Sequence, residues 1–238
     1  MEAKCHRMAM VSPAPASLRS LVAAVAASAA FVIFTVWYVV DGGMRLDAAL
    51  LRFTGWLMRG WADDLIGASW RLGEPQLGFV VVAVIAVTLA ASRRYRASIL
   101  VAGGFLLLSA LQIAVLLAIA GIRHFSVTAG AIPHLYPSGH TGRVPFIGVA
   151  LAAISGRRLR LPILAATTIL AIAVAMDRTD SGIESGSAVT GGLLMGLAAA
   201  LWFAALHRTR GVESHSVTNS MAESMEFDDG SSKSGPLA

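Results

Sequence analysis

The sequence contains little cysteine and little lysine, and each shortage argues against a class of protein. Cys5 is the single cysteine among 238 residues, so an intrachain disulfide and a multi-cysteine metal site are both excluded. Only two lysines accompany seventeen arginines, which occur in short groups between apolar runs rather than on one basic face with interleaved aromatic residues. This distribution argues against a nucleic-acid partner.

Charge of either sign is also scarce, and the apolar content is high. Charged residues make up 14% of the chain and hydrophobic residues 56%, with a mean hydropathy of +0.69. These values predict an integral membrane protein. The first apolar run, 21–40, matches the hydrocarbon thickness and is longer than a signal-peptide core, so we interpret it as an uncleaved anchor. We predict an all-α, six-transmembrane-helix bundle with spans at 21–40, 77–91, 97–122, 144–155, 161–176 and 188–206.

The distribution of apolar and polar residues divides the chain into an N-terminal segment (1–20), a membrane domain (21–210) and a tail (211–238). The tail is rich in Ser, Gly and acidic residues, and we expect it to be disordered. Within the membrane domain, 41–76 carries an amphipathic helical pattern. Two interpretations of it stay open: a helix at the bilayer surface, or a helix packed on the outer end of the bundle.

Basic residues predict the orientation of the bundle. With six spans, one side receives Lys4, Arg7, Arg19, Arg93, Arg94, Arg96, Arg157, Arg158, Arg160, Arg208 and Arg210. The other receives Arg45, Arg52, Arg59, Arg71, Arg123, Arg143 and Arg178. We therefore expect a bacterial inner (plasma) membrane protein with a cytoplasmic N-terminal segment and tail, and with the polar loops 123–143 and 177–187 together on the outer face.

One stretch, 136–148, places much polar chemistry beside an apolar helix. Pro137 and Gly139 shape a turn, Ser138 supplies a hydroxyl, His140 supplies an imidazole that can take up or release a proton, and Arg143 brings a fixed positive charge. Because the N–H groups at a helix start attract anions, this combination suits a phosphate. Arg143 is equally compatible with a phosphate contact and with an interfacial anchor.

The residues Pro137-Ser138-Gly139-His140, followed after one further helix by Arg178, resemble the type-2 phosphatidic acid phosphatase and haloperoxidase superfamily, in its membrane lipid-phosphatase branch. The resemblance covers roughly 77–206 and implies a phosphatase-like core there. It implies that Ser138 binds a phosphate oxygen and that His140 protonates the leaving group. It also implies a lipid or polyprenyl phosphate substrate, membrane lipids as partners, and no cofactor or resident metal. With the helix start described above, the candidate phosphate-binding residues are Arg123, Ser138, Gly139, Arg143 and Arg178.

Two parts of the family pattern are missing. Glu184 stands at the position of the nucleophilic histidine and Ala188 at that of its orienting aspartate, while Gly130 and Ala131 replace an Arg-Pro pair. We assign His140 and Glu184 as the candidate catalytic pair and expect their side chains within about 6 Å if they share a site. An ion pair between Arg178 and Glu184 that only holds the loops together is an equal alternative.

Three functions follow from these departures. The first is a membrane phosphatase, hydrolysing a phosphoric monoester or a pyrophosphate. The second is a catalytically silent relative that binds a lipid phosphate or a protein partner. The third, a metal-assisted hydrolase, lacks a recognised ligand spacing and would use His124, His134, His140 and Asp180 or Glu184.

Overall fold

In the computed structural model of the chain, the described residues are 16–41, 43–57, 71, 74–122 and 136–229, with side chains from Leu18 to His207. Within these ranges the regular elements are seven α-helices, and no strand occurs among them. They are α1 Ala16–Asp41, α2 Met44–Leu57, α3 Pro75–Ala91, α4 Tyr95–Ile122, α5 Gly139–Ile154, α6 Arg157–Asp180 and α7 Gly186–Asp229.

Four segments of these helices are long and apolar enough to cross a membrane: Leu18–Asp41, Tyr95–Ile122, Arg157–Asp180 and Gly186–His207. Helices α3 and α5 are shorter, with 17 and 16 residues. Together these six helices match the six predicted apolar runs, and the predicted all-α polytopic membrane fold is confirmed. The number of complete spans, six, stays a prediction.

Two helix boundaries differ from those predicted. Helix α6 extends past the predicted run 161–176, because no glycine interrupts the backbone before Gly182, which adopts a φ of +66°. Asp177, Arg178 and Asp180 therefore lie on a helical turn. Helix α7 continues to Asp229, past Gly211 where we predicted a disordered tail. The segment 212–229 contains no proline, and its three glutamates, two methionines and one alanine favour helix.

Helix α7 is central, since it packs along α1 and α5 and also contacts α2, α4 and α6. Its contact with α5 is close because Gly192 lies against the Ser138 carbonyl and Gly196 against the Gly142 carbonyl. Small residues in this helix therefore permit close packing. As a result, the turn at Ser138 is held directly against the first turns of α7. The core of the bundle contains Phe31, Phe105, Phe146 and Phe203.

Helix α2 packs across the end of the bundle where α5 and α7 begin. Leu50 lies against Gly186 and Gly55 near the Asp180 carboxylate, while Gly43, with a φ of +70°, lies against Ser187. Of the two interpretations of the amphipathic segment, the structure has the helix packed on the bundle. Helix α2 therefore closes over the ends of α6 and α7, which carry the polar residues.

Candidate phosphate site

The turn before α5 is fixed to the start of α7 by hydrogen bonds. The Ser138 N–H donates to the Ala188 carbonyl at 2.9 Å, and the Thr141 hydroxyl donates to the Val189 carbonyl at 3.0 Å. Ser138 is the N-cap of α5, because its Oγ accepts the Thr141 N–H at 3.3 Å. Ser138 is thus buried, and its Oγ serves as an acceptor in the first turn of α5.

Tyr136, at the cis Tyr136–Pro137 bond, anchors the same turn to α1. Its hydroxyl lies 2.7 Å from the Thr35 hydroxyl, and its ring stacks on Tyr38 with centroids 4.2 Å apart. Burial raises the pKa of Tyr136 to about 12, so the phenol stays protonated at neutral pH. This anchor requires no charge, and it gives Tyr136 a structural role.

His140 and Glu184 contact each other directly. His140 Nδ1 lies 3.0 Å from Glu184 Oε1, and since a carboxylate only accepts, the Nδ1–H donates. The His140 side chain is 23% exposed and that of Glu184 is 10% exposed, so the carboxylate lies behind the ring. Glu184 Oε2 is buried and has no hydrogen-bond partner among the described residues. The histidine is therefore the more accessible member of the pair.

The two candidate arginines are buried at this end of the bundle. Arg143 donates from Nη2 to Gln112 Oε1 at 3.1 Å and interacts electrostatically with Glu184. Arg178, 4% exposed, lies in the last turn of α6, where its carbonyl accepts the Glu184 N–H at 3.2 Å. Arg143 is therefore inside the bundle and is not an interfacial anchor. The Arg143 guanidinium contributes positive charge near Glu184, and that of Arg178 contributes it near Asp177.

Gln112 was not identified from the sequence. Its Nε2 donates to the Pro137 carbonyl at 3.4 Å while its Oε1 accepts from Arg143, so it links the turn to the arginine. The Gly139 backbone lies against the same amide. One available signal was its position as the one amide within the apolar run 97–122, because a polar side chain inside a membrane helix usually has a specific partner.

Asp47 on α2 is a second residue that the sequence did not single out. Its Oδ1 accepts the Ser187 N–H at 2.6 Å, in the first turn of α7. Ser185 Oγ also caps this turn by accepting the Ala188 N–H at 3.2 Å. The start of α7 therefore already holds a carboxylate of the protein, whereas the start of α5 is capped by the neutral Ser138.

Not every predicted site residue can be placed. The structure brings together Ser138, Gly139, His140, Arg143, Arg178 and Glu184 at one end of the bundle. Arg123, His124, His134 and the Gly130–Ala131 pair lie outside the described residues. Among the described residues, no group of three or more His, Cys, Asp or Glu side chains is arranged to hold a metal ion. The metal-assisted alternative depends on His124 and His134, so it stays a prediction.

These features define a polytopic, all-α membrane protein with a phosphate-type motif at one end of its bundle. No protein-family model and no curated protein matches the chain. Among solved structures it is similar to a transmembrane PAP2-type phosphatidylglycerolphosphate phosphatase from Bacillus subtilis, with a TM-score of 0.58 and 16% sequence identity. The match covers 81% of this chain and 96% of that one. The chain therefore has the fold of a membrane type-2 phosphatidic acid phosphatase, as its motif predicted.

Proposed function

We propose that this protein binds the phosphate head group of a membrane lipid at the start of α5, without hydrolysing it by the phosphohistidine route. The observation that carries the proposal is the hydrogen bond between His140 Nδ1 and Glu184 Oε1. This bond supports the proposal because it gives the surviving histidine of the motif a carboxylate partner where the family pattern has a second histidine.

Binding is supported by the groups around the pair. The Ser138 hydroxyl, the helix start at Gly139 and the guanidinium groups of Arg143 and Arg178 all favour an anion with several acceptor oxygens. These polar groups lie at the end of an apolar helix bundle. This arrangement favours a lipid or polyprenyl phosphate over a soluble phosphate ester. The similar structure is of a phosphatidylglycerolphosphate phosphatase, which makes that lipid one reasonable probe.

The absence of turnover is supported by the surroundings of Glu184 and Ala188. A glutamate could attack phosphorus only through an acyl-phosphate, yet one Glu184 oxygen is bonded to His140 and the other is buried. Ala188 is fully buried in a cluster with Tyr38 and Tyr136, and its side chain has no group that could orient a nucleophile. We expect little or no hydrolysis of phosphatidate, phosphatidylglycerolphosphate or polyprenyl pyrophosphate.

The test measures binding and hydrolysis on the same purified, lipid-reconstituted protein. Vanadate, phosphate and a short-chain phosphatidate should bind, and Arg178→Ala should weaken that binding at least about tenfold, as expected for a charge-assisted contact. Arg160→Ala, at an exposed arginine in the first turn of α6, is the matched control and should bind normally.

Three results would contradict the proposal in different ways. Unchanged affinity in Arg178→Ala would remove Arg178 from the site. Robust, metal-independent hydrolysis that is lost in Glu184→Gln would make Glu184 the nucleophile. Hydrolysis abolished by chelators would favour the metal-assisted alternative.

A further inference from the structure

The side chain of Arg143 is enclosed by two helices besides its own. Arg143 is 8% exposed. A Cβ added at Gly78 of α3 would lie 3.3 Å from Arg143 Cδ, and Arg143 Nη2 donates to Gln112 Oε1 of α4 at 3.1 Å. A buried guanidinium has given up its hydration, so its position depends on the groups that replace the lost water. The position of this charge is therefore set by α3 and α4 as well as by α5.

The Gln112 amide joins this guanidinium to the turn before α5. Its Nε2 donates to the Pro137 carbonyl at 3.4 Å while its Oε1 accepts from Arg143. Because the carbonyl can only accept and the guanidinium can only donate, one orientation of the amide satisfies both. Glutamate and methionine have a similar length, but neither can donate to the carbonyl. The bridge therefore requires the amide of a glutamine.

Gly139, the first residue of α5, leaves room for this bridge. A Cβ added at Gly139 would collide with the Gln112 amide nitrogen, and it would also lie 2.5 Å from the amide oxygen. The amide thus packs directly against the backbone of the turn that carries Ser138 and His140. As a result, the turn, the amide and the Arg143 guanidinium are held together as one unit.

We infer that Gln112 is a positioning residue for phosphate binding, and that it acts by holding the Arg143 guanidinium at a fixed distance from the Ser138 turn. The inference rests on the proposed function, to which it adds how the affinity is set. An arginine side chain that is already held loses less conformational freedom when the anion binds, so the contact contributes more to affinity. A role for Gln112 in helix packing alone is the competing explanation.

Gln112→Met tests the role of the amide. Methionine keeps the length of the side chain and suits an apolar helix, but it removes both hydrogen bonds. In the full chain in phosphatidylcholine nanodiscs, calorimetric titration should show vanadate binding about tenfold weaker than in the wild type, because the charge-assisted contact with Arg143 is no longer held. Ser109→Ala is the matched control on the same helix and should leave the affinity unchanged, since the Ser109 hydroxyl donates to the Phe105 carbonyl of its own helix.

A double-mutant cycle separates positioning from packing. If Gln112 acts through Arg143, then Arg143→Ala and the double variant Gln112→Met/Arg143→Ala should bind vanadate with affinities within about twofold of each other. The melting temperature of each variant is measured alongside. Gln112→Glu provides a second variant if Gln112→Met does not fold, because its carboxylate can pair with Arg143. We expect it to bind vanadate more weakly than the wild type, since it adds a negative charge beside the guanidinium.

Each result supports or overturns the inference. Wild-type affinity in Gln112→Met or in Gln112→Glu would overturn it and leave the proposed function intact. An equal loss of affinity from Gln112→Met with and without Arg143 would also overturn it, because Gln112 would then act on the turn or on the anion directly. If the wild type binds neither vanadate nor phosphatidate, the proposed function is wrong and the role of Gln112 in binding is overturned with it.

Discussion

At the scale of single residues, the chemistry of the site depends on which group His140 faces. A histidine whose Nδ1–H is held by a carboxylate keeps its Nε2 as an acceptor, and the carboxylate fixes the orientation of the ring. The same carboxylate carries a negative charge beside the phosphate that we propose as ligand. On this proposal Glu184 positions His140 but opposes the anion, and the Arg143 guanidinium, which interacts electrostatically with Glu184, offsets that opposition.

Glu184→Gln tests this balance. The amide oxygen can still accept the His140 Nδ1–H, so the ring should keep its position, while the negative charge is removed. We expect vanadate and phosphatidate to bind about tenfold more tightly, since a unit charge at 4 Å contributes a few kcal/mol at a protein surface before screening. Calorimetric titration measures the effect. Asp41→Asn, which removes an exposed carboxylate at the end of α1, should leave the affinity unchanged. Weaker binding in Glu184→Gln would mean that Glu184 supports the ligand.

At the scale of elements, the site depends on the close contact between α5 and α7. Gly142, Gly192 and Gly196 leave no room for side chains between these helices, and the hydrogen bonds from Ser138 and Thr141 to the α7 backbone require that approach. Because α5 carries His140 and α7 follows directly after Glu184, a small change in helix separation changes the geometry of the pair.

Gly196→Ala should therefore destabilise the protein and weaken phosphate binding together. The added Cβ would collide with the Gly142 carbonyl, and we expect a loss of about 1–3 kcal/mol in the free energy of unfolding, as for overpacked cores. Thermal unfolding in detergent measures it. The same substitution at Gly103, where the space is open, should be neutral or stabilising by about 0.5–1 kcal/mol. Equal melting temperatures for the two variants would contradict the role of the contact.

At the scale of elements, some features could be predicted from the sequence and others could not. The apolar runs predicted the membrane helices, because helical periodicity is encoded in neighbouring residues. The alignment to the family motif also predicted that Glu184 lies near His140, because the motif fixes the spacing of residues along the chain. The contacts of Gln112 with Pro137 and of Asp47 with Ser187 were not predictable. Each joins residues far apart in the chain, and each depends on how helices pack rather than on any local pattern.

At the scale of the whole molecule, charge is unevenly distributed between the two ends of the bundle. Arg94 Nη1 donates to the Ile154 carbonyl at 3.3 Å, which places the α3–α4 connection beside the α5–α6 connection, at the end opposite Ser138. Six arginines belong to these two connections and the first helical turns after them: Arg93, Arg94, Arg96, Arg157, Arg158 and Arg160. The positive-inside rule predicts that this end is cytoplasmic, so we expect the phosphate site to face outward.

Cysteine accessibility in intact cells tests this orientation. In a Cys5→Ser background, His134→Cys, two positions before Tyr136 in the sequence, should react with a membrane-impermeant maleimide from outside. Tyr95→Cys, at an exposed position at the arginine-rich end, should react only after the inner face is opened. The expectation follows because arginines flanking membrane helices are retained on the cytoplasmic side. The reverse pattern, with position 95 labelled from outside and position 134 only from inside, would place the phosphate site on the cytoplasmic face. The lipid head group would then have to come from the inner leaflet.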